Sequence, residues 1–299
     1  MNETYLCTCV QKRQTTIQQP DPAQIPVVRP FDPNGFHFNK ASPREIMMKL
    51  TLGQNPTVVL AALQEENQQQ EGTGGDGGPE TDEEQAIHTL FVNVSPLAHG
   101  HSLLVPWMEE MLPQRLTKAS IILSLRLCRL SKREDFKIGY NSLGAFASVN
   151  HLHFQPFYTC LSFDKPGMPV EYSEKLRIYP TDDDNGSGNG TVHIHALTNW
   201  PISGWVFTLV ADSIDDGKLQ YLGIQVNELV QRLITLDVAH NLLFCDGGRS
   251  VYILPRKKQR VIGKDYVRIA MIEASGLAVC RDEEAFQVRF CLLLYFLLV

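Results

Sequence analysis

The sequence lacks the features that mark a membrane protein, a disulfide-stabilised domain or a nucleic-acid scaffold. No apolar run reaches the roughly 18 residues that a membrane-spanning helix needs. The seven cysteines are odd in number and have no framework spacing. Acidic residues outnumber basic ones, 33 to 27, and the formal net charge of -6 disfavours a nucleic-acid scaffold. Because a signal-peptide pattern is also missing, we expect a cytoplasmic protein with reduced thiols and no membrane partner.

A metal site is not expected either. The sequence contains no C-x-x-C pair, and Cys7 and Cys9 have no partnering pair at the spacing of metal ligands. We therefore predict neither a metal nor a cofactor. With 299 residues, of which 43% are hydrophobic, the chain is long enough to bury a substantial core.

The most informative segment, residues 139–155, ends in the pattern H-x-H-x-Q. Side chains alternate along an extended strand, so His151, His153 and Gln155 are predicted to share one face. A neutral imidazole is both a nucleophile and a base, so one ring is able to attack phosphorus while its neighbour positions it. Small residues before the motif permit close backbone approach to anionic oxygens. Two interpretations remain: a phosphate-handling site, or an amphipathic strand whose polar face contacts water.

A second block, residues 91–106, contains the pattern N-x-x-P-x-x-x-G-H. Together the two blocks resemble the histidine-triad superfamily, and the glutamine at the third motif position resembles its galactose-1-phosphate uridylyltransferase branch. Residues 199–207 and 241–248 extend the resemblance to the GDP-hexose phosphorylases, which include plant GDP-L-galactose and animal GDP-D-glucose enzymes. The resemblance runs from about Arg29 to Glu273.

The resemblance implies a covalent mechanism without a cofactor. His153 would attack the α-phosphorus of a GDP-hexose and expel hexose 1-phosphate, and inorganic phosphate would then take the guanylyl group to give GDP. His151 is implied to position the reacting groups. Gln155 is implied to hydrogen-bond a phosphate oxygen, because an amide does not deliver a proton at ordinary pH. The expected partners are therefore a GDP-hexose and inorganic phosphate, with no nucleic acid.

Further residues are assigned to the substrate and phosphate site by the same resemblance. They are Asn93, His101, Asn141, Ser142, Gly144, Ser148 and Asn150. For two of them a structural role is an open alternative, since Asn93 suits a cap on the turn before Pro96 and His101 suits a packed position at the start of a strand.

The order of periodic segments predicts an α+β fold dominated by antiparallel sheet. Strands are predicted at 91–94 and 103–105, followed by an amphipathic helix over 113–133. A second helix is predicted from residue 215 or 219 to residue 240, ahead of a hairpin over 242–254. The resemblance sharpens this to a histidine-triad-like fold with two related halves, of which the first carries the chemistry and the second is degenerate.

The predicted organisation has five parts. They are a poorly matched segment at 1–29, a catalytic half at 30–180 with a disordered insertion at about 64–85, a flexible acidic loop at 181–191, a degenerate half at 192–286 and a divergent apolar tail at 287–299. Residues 290–299 are apolar throughout and too short to cross a bilayer. The alternatives for this tail are packing as a last strand or helix, association, or an altered transcript.

Three classes of function remain open from the sequence. The first is a GDP-hexose phosphorylase, for which we favour GDP-D-glucose over GDP-L-galactose as the substrate. The second is a nucleotidyl hydrolase of the same superfamily, which would act with water alone. The third is a nucleotide-binding protein without catalysis, suggested by the divergent tail.

Overall fold

The structure is a computed structural model that describes residues 26–52, 57–60, 86–159, 166–180, 191–258 and 269–277. Its strands are β1 (Ile46–Thr51), β2 (Thr57–Leu60), β3 (His88–Val92), β4 (Ser102–Pro106), β5 (Phe136–Asn141), β6 (Gln155–Tyr158), β7 (Lys175–Tyr179), β8 (Thr191–Leu197), β9 (Trp205–Val210), β10 (Ala239–Cys245) and β11 (Ser250–Arg256). Its α-helices are α1 (Lys118–Ser131), α2 (Asp216–Thr235) and α3 (Met271–Ala274).

These strands form two antiparallel sheets that continue into each other. One has the order β2-β1-β3-β4 and the other has the order β6-β5-β10-β11-β9-β8-β7. They join where Leu104 and Phe154 exchange both backbone hydrogen bonds, at 3.0 and 2.8 Å. Since residue 154 directly precedes β6, that strand lies beside β4 and the two sheets form one surface.

The chain repeats one arrangement twice. Apart from the edge strand β2, which comes between β1 and β3, the first half has the chain order β1, β3, β4, α1, β5 and β6, and across the sheet these strands lie in the order β1-β3-β4-β6-β5. In the second half β7, β8, β9, α2, β10 and β11 follow each other and lie in the order β7-β8-β9-β11-β10. The halves meet at β5 and β10, where Asn141 lies opposite Asn241. The predicted α+β fold, dominated by antiparallel sheet and built from two related halves, is confirmed.

Both long helices cover one face of the sheet. The main core joins apolar side chains of α1 and α2 to alternate residues of the strands, such as Leu242 and Phe244 of β10. On the other face, Leu243 and Cys245 pack beneath residues 168–170 and α3. Because each strand buries both of its faces here, β10 is buried along its whole length.

The helix predictions were correct in position and partly wrong in extent. The first helix begins after Thr117, whose hydroxyl accepts the Ser120 N–H at 3.2 Å, rather than at residue 113. The second ends at Thr235 instead of residue 240. Asp237, with φ of 53°, ends the helical path, and residues from 239 onward pair with two strands. Strand pairing therefore overrides the helical periodicity at this end.

The shorter predicted elements agree with the structure in type. Strand β3 ends at Val92, and β10 and β11 form the predicted hairpin around the turn at Asp246–Gly248. The predicted insertion at about 64–85, residues 181–190 of the predicted acidic loop and the tail at 287–299 lie outside the described residues. No helix in the described ranges is both long and apolar enough to span a membrane.

Candidate active site

The H-x-H-x-Q motif lies at the junction of the two sheets. Leu152 and Phe154 are buried in the helix-covered core, whereas Gln155 lies opposite Gly139 of β5, on the other face. His151 and His153 are 0% and 4% exposed, and Gln155 is half-buried. The motif was predicted to lie on an extended strand. Regular pairing with β5 begins only at Gln155, so the two histidines precede β6. The interpretation as a polar face in contact with water does not fit two buried histidines.

His153 presents one free ring nitrogen. Its Nδ1 lies 2.8 Å from the backbone oxygen of His151, and because a carbonyl only accepts, Nδ1 carries the hydrogen. In the neutral ring this leaves a lone pair on Nε2, to which no hydrogen bond is made among the described residues. Burial lowers the pKa of His153, and the hydrogen bond to His151 opposes that change. The ring is therefore neutral at neutral pH and nucleophilic at Nε2.

Gln114 holds the backbone of His153 on both sides. Its Oε1 accepts the His153 N–H at 2.9 Å, and its Nε2 donates to the His153 oxygen at 3.2 Å and to the Asn141 oxygen at 2.9 Å. Beside it, the Leu152 N–H donates to the Leu112 oxygen at 2.8 Å. Gln114 thus acts as a strand-like partner for the motif. Sequence reasoning missed it, because a lone glutamine in a loop has no distinguishing pattern.

His151 has the opposite tautomer. Its Nδ1 accepts the backbone N–H of Phe38 at 3.2 Å, so the hydrogen of the neutral ring sits on Nε2. That Nε2–H is buried without a partner. Burial, then the neighbouring rings of His153 and His37, lowers the pKa of His151 to about 4. An unsatisfied buried donor costs about 1–3 kcal/mol, so this atom is suited to an incoming acceptor.

His101 orients the glutamine of the motif. Its Nδ1 accepts the Leu97 N–H at 2.9 Å, which places the ring hydrogen on Nε2. Burial lowers the pKa of His101 to about 4, and a side-chain hydrogen bond to Gln155 acts in the opposite direction. If the Gln155 oxygen accepts from this ring, its NH₂ group is left to donate to an anionic oxygen. Both roles suggested for His101, the packed one and the chemical one, are compatible with this arrangement.

Asn93 shapes the turn between β3 and β4. Its Oδ1 accepts the Ser95 N–H at 3.0 Å, as expected of a turn cap. Its Nδ2 lies 3.1 Å from His101 Nε2. Because His101 Nδ1 accepts from the Leu97 N–H, the ring hydrogen is on Nε2, and two donors face each other at this contact. The turn-capping alternative for Asn93 is therefore supported, and its contact with substrate stays a prediction.

The predicted phosphate-contacting residues at the end of β5 and directly after it connect the two halves. Asn141 Oδ1 accepts from Asn241 Nδ2 at 2.6 Å and from the Met271 N–H at 2.8 Å. The Ser142 hydroxyl is buried and accepts the His240 N–H at 2.9 Å. Gly144 has φ of 79°, a conformation that favours glycine. These contacts fix the segment that leads into the motif, and direct phosphate contacts by Asn141, Ser142 and Gly144 stay predictions.

The last two predicted residues differ in their surroundings. Ser148 is exposed. Asn150 accepts the Gln114 N–H at 3.1 Å and donates to the oxygen of Pro30 at 2.7 Å. Its amide therefore ties an N-terminal segment to the loop before α1. Phosphate contacts by Ser148 and Asn150 remain predictions.

Helix α3 borders the site. A Cβ atom on Gly139 would overlap the Met271 Cε atom, so the Met271 side chain of α3 packs into the space that the glycine leaves on β5. Gly139 is the partner of Gln155 in the sheet. The close approach thus brings the segment 269–277 beside the motif. Among the described residues, no group of three or more His, Cys, Asp or Glu is placed to hold a metal ion.

Two family models match the chain. The model described as "GDPGP1-like, N-terminal domain" matches residues 2–157, and the one described as "GDPGP1-like, C-terminal domain" matches residues 169–289. The first match includes the whole H-x-H-x-Q motif, and the second includes β7 to β11. The two matches together cover more than half of the chain.

Similar proteins carry two related names. GDP-L-galactose phosphorylase 2 of Arabidopsis thaliana is 28% identical over 275 residues, which cover 87% of this chain and 56% of that protein. GDP-D-glucose phosphorylase 1 of Homo sapiens is 30% identical over 276 residues, which cover 92% of this chain and 60% of that protein. The chain thus spans little more than half the length of these relatives.

Among solved structures, yeast Ap4A phosphorylase Apa2 in complex with Ap4A is similar, with a TM-score of 0.49 and 18% identity over 67% of this chain and 68% of that chain. A DUF4931 family protein from Bacillus cereus has a TM-score of 0.39 and 14% identity, over 68% of this chain and 93% of that chain.

Proposed function

Because the chain belongs to the GDPGP1-like family, we propose that it is a GDP-hexose phosphorylase that converts GDP-D-glucose and inorganic phosphate to GDP and glucose 1-phosphate. Relatives named for this activity are about as similar as those named for GDP-L-galactose, so GDP-L-galactose is the alternative substrate. The reaction class is nucleotidyl transfer, and no cofactor is required for it.

The observation that carries this proposal is the tautomer of His153. Its Nδ1–H is held by the His151 oxygen at 2.8 Å, which leaves the Nε2 lone pair for attack. In the first step Nε2 forms a bond to the α-phosphorus, and the bond from that phosphorus to the oxygen of glucose 1-phosphate breaks. In the second step an oxygen of inorganic phosphate attacks the same phosphorus, the N–P bond breaks, and GDP leaves.

The chemistry suits the groups around the nucleophile. A sugar phosphate leaves as a weakly basic anion, so the first step needs little proton donation. Gln155 supplies hydrogen bonds to a phosphate oxygen rather than a proton. A residue able to donate a proton at the third motif position would instead favour expulsion of a more basic amine or alkoxide. Gln155 therefore favours the phosphorylase over the hydrolase interpretation.

We also assign the protein to the cytoplasm. The reduced-thiol composition and the acidic net charge of -6 support a small-molecule enzyme that works without nucleic acid or membrane. Both buried cysteines in the described part of the chain, Cys128 and Cys245, are free thiols.

The test is a panel of nucleoside-diphosphate sugars assayed with and without inorganic phosphate. We expect glucose 1-phosphate and GDP from GDP-D-glucose only with phosphate, and a labelled guanylyl-protein when phosphate is omitted. Equal product formation in water alone would indicate the hydrolase. GDP binding without any adduct would indicate a nucleotide-binding protein without catalysis. Faster turnover of GDP-L-galactose than of GDP-D-glucose would make GDP-L-galactose the substrate.

The matched variants are His153→Asn and His99→Asn. His153→Asn should lower turnover by at least about 1,000-fold and abolish the adduct, because no nucleophilic ring nitrogen remains. His99 is exposed in the β3–β4 turn, so His99→Asn should leave both nearly unchanged. An adduct that persists in His153→Asn would remove the proposed nucleophile.

A further inference from the structure

His37 lies next to the motif although it is far from it in the sequence. It precedes β1, and the segment that carries it packs over the H-x-H-x-Q histidines. The centroid of its ring is 6.2 Å from that of His151. The side chain is only 8% exposed, and its Nδ1 is buried without a hydrogen-bond partner. No motif in the sequence singles it out.

Two phenylalanines enclose these rings. The Phe31 centroid lies 5.3 Å from the centroids of both His37 and His151. The Phe38 centroid lies 5.5 Å from that of His151 and 5.3 Å from that of His153. We call His37, His151 and His153 the imidazole cluster. Its apolar walls limit the water that reaches the ring nitrogens, and electrostatic interactions are stronger in such surroundings.

The polar atoms of the cluster are unequally satisfied. His153 Nδ1 and His151 Nδ1 have backbone partners, whereas His151 Nε2 and His37 Nδ1 are buried and have none. Buried polar groups in folded proteins are nearly always paired. Two unpaired ring nitrogens on adjacent rings, one of them two residues along the chain from the proposed nucleophile, therefore indicate a place for a ligand acceptor. His151 Nε2 carries a hydrogen, and His37 is able to carry one on Nδ1.

We propose that His37 and His151 together bind the anionic phosphate oxygens of a guanosine diphosphate group during the reaction at His153. This deepens the proposed function and rests on it, since that reaction brings a diphosphate to the same ring. His37 contacts the substrate in this arrangement and is a further binding residue. The ring N–H groups donate hydrogen bonds to these oxygens, and the charge on the oxygens strengthens such bonds.

The test compares His37→Phe with His88→Phe. Phenylalanine keeps the ring but removes its nitrogens. His88 is a matched control, because it is also buried, also has an unpaired Nδ1, and lies on β3 against Trp107 outside the imidazole cluster. Calorimetric titration is carried out on the full chain with GDP and, separately, with guanosine.

We expect His37→Phe to weaken GDP binding about 10- to 100-fold, as for the loss of one hydrogen bond to a charged group. Guanosine binding should change less than about 2-fold, since it has no phosphate. His88→Phe should change neither affinity. Unchanged GDP affinity in His37→Phe, or an equal loss for guanosine, would overturn the proposed phosphate contact.

A measurement on the unsubstituted protein guards against misfolding of the variant. Ring-nitrogen NMR should show His151 Nε2 and His37 Nδ1 shifting when GDP is added, and the His151 pKa should rise because a bound anion favours the charged ring. Saturation with GDP without either shift overturns the proposal.

The two hypotheses fail in different ways. If the unsubstituted protein shows phosphate-dependent turnover and His37→Phe binds GDP with unaltered affinity, the phosphorylase function stands and the phosphate contact of His37 is rejected. GDP binding that depends on His37, in a protein that turns over no GDP-hexose, keeps the contact and rejects the reaction. A protein that does not bind GDP overturns both.

Discussion

Two histidines two residues apart hold their hydrogens on opposite nitrogens, and the backbone decides this. A carbonyl faces Nδ1 of His153, while an amide N–H faces Nδ1 of His151. The same residue type therefore presents a lone pair at one position, that of the proposed nucleophile, and a buried N–H donor at the other. The division of roles follows from which backbone group each ring meets.

Gln114 is the residue whose substitution tests positioning of the nucleophile. Gln114→Met keeps the side-chain length and removes its hydrogen bonds to the His153 and Asn141 backbone. We expect the rate of guanylyl-protein formation to fall about 10- to 100-fold, since small misplacement of a reacting group is costly. The KM for GDP-D-glucose should change little. Single-turnover labelling measures the rate.

The control for this prediction is Gln231→Met. Gln231 supports the same loop through a 3.1 Å hydrogen bond to the Leu116 oxygen but does not touch His153. It should lower thermal stability without the rate loss. A rate in Gln114→Met equal to that of the control would show that Gln114 is only a structural support.

At the scale of elements, a buried ion pair attaches the turn at Pro169–Tyr172 to β5. Lys137 Nζ lies 2.8 Å from Glu171 Oε1, and the lysine side chain is 1% exposed. Glu171 Oε1 also accepts the Met168 N–H at 2.7 Å. The pair fastens the face of the sheet that carries Gly139 and Gln155.

Breaking this pair on one side should be costly. Lys137→Met leaves the Glu171 carboxylate without its cation, and we expect the free energy of unfolding to fall by about 3–5 kcal/mol in urea titrations. The double variant Lys137→Met with Glu171→Met should recover part of that loss, because both desolvated charges are gone.

An ion pair whose cation is exposed provides the comparison. Arg133 pairs with Asp135 at 2.7 Å, and the arginine side chain is 53% exposed, whereas that of Asp135 is 8% exposed. Arg133→Met should therefore destabilise the protein far less than Lys137→Met. Equal losses for the two single variants would mean that burial does not set the strength of the Lys137 pair.

For the whole molecule, the repeated architecture carries the H-x-H-x-Q motif only once. The strand of the second half that corresponds to β6 is β11, since each pairs with the fourth strand of its half. Residues 250–256 read S-V-Y-I-L-P-R and contain no histidine. The second half therefore contributes support to the site through β10 and α3, as the contacts of Asn141 with Asn241 and Met271 show.

Global stability should depend on pH through buried histidines. Burial is the largest cause that lowers the pKa of four of them to about 4, namely His88, His101, His151 and His240. Between about pH 6.5 and 4 these histidines are protonated in the unfolded chain but neutral in the folded protein. The free energy of unfolding therefore falls as the pH is lowered through this range. Each ring contributes at most roughly 1.4 kcal/mol per pH unit.

Urea titrations at pH 7, 6 and 5 measure this dependence. We expect the transition midpoint to decrease at each step, and we expect a shallower decrease in His240→Phe, which removes one of the buried rings. His240 makes its one ring hydrogen bond to the Val238 oxygen at 2.9 Å. A midpoint that rises on acidification would contradict native rings that stay neutral.

Much of the architecture follows from local patterns. Helical spacing predicted α1 and α2, alternation and turn residues predicted the β10–β11 hairpin, and the order of these segments predicted the α+β fold class. Errors occur at boundaries such as residues 236–240, where the periodicity continues but pairing with β5 and β11 takes over. Local sequence does not encode which distant strand is available for pairing.

The sequence by itself placed His151, His153 and Gln155 at alternate positions of one short segment and predicted a shared site for them, because alternation and motif spacing are properties of a short stretch of chain. Only the tertiary structure decided which ring nitrogen is free, because that depends on the carbonyl, amide and side-chain groups that meet each ring. It also brought Gln114 and His37 to the motif from loops without any pattern of their own. Hydrogen bonds between segments far apart in the chain depend on three-dimensional packing, which residue spacing does not record.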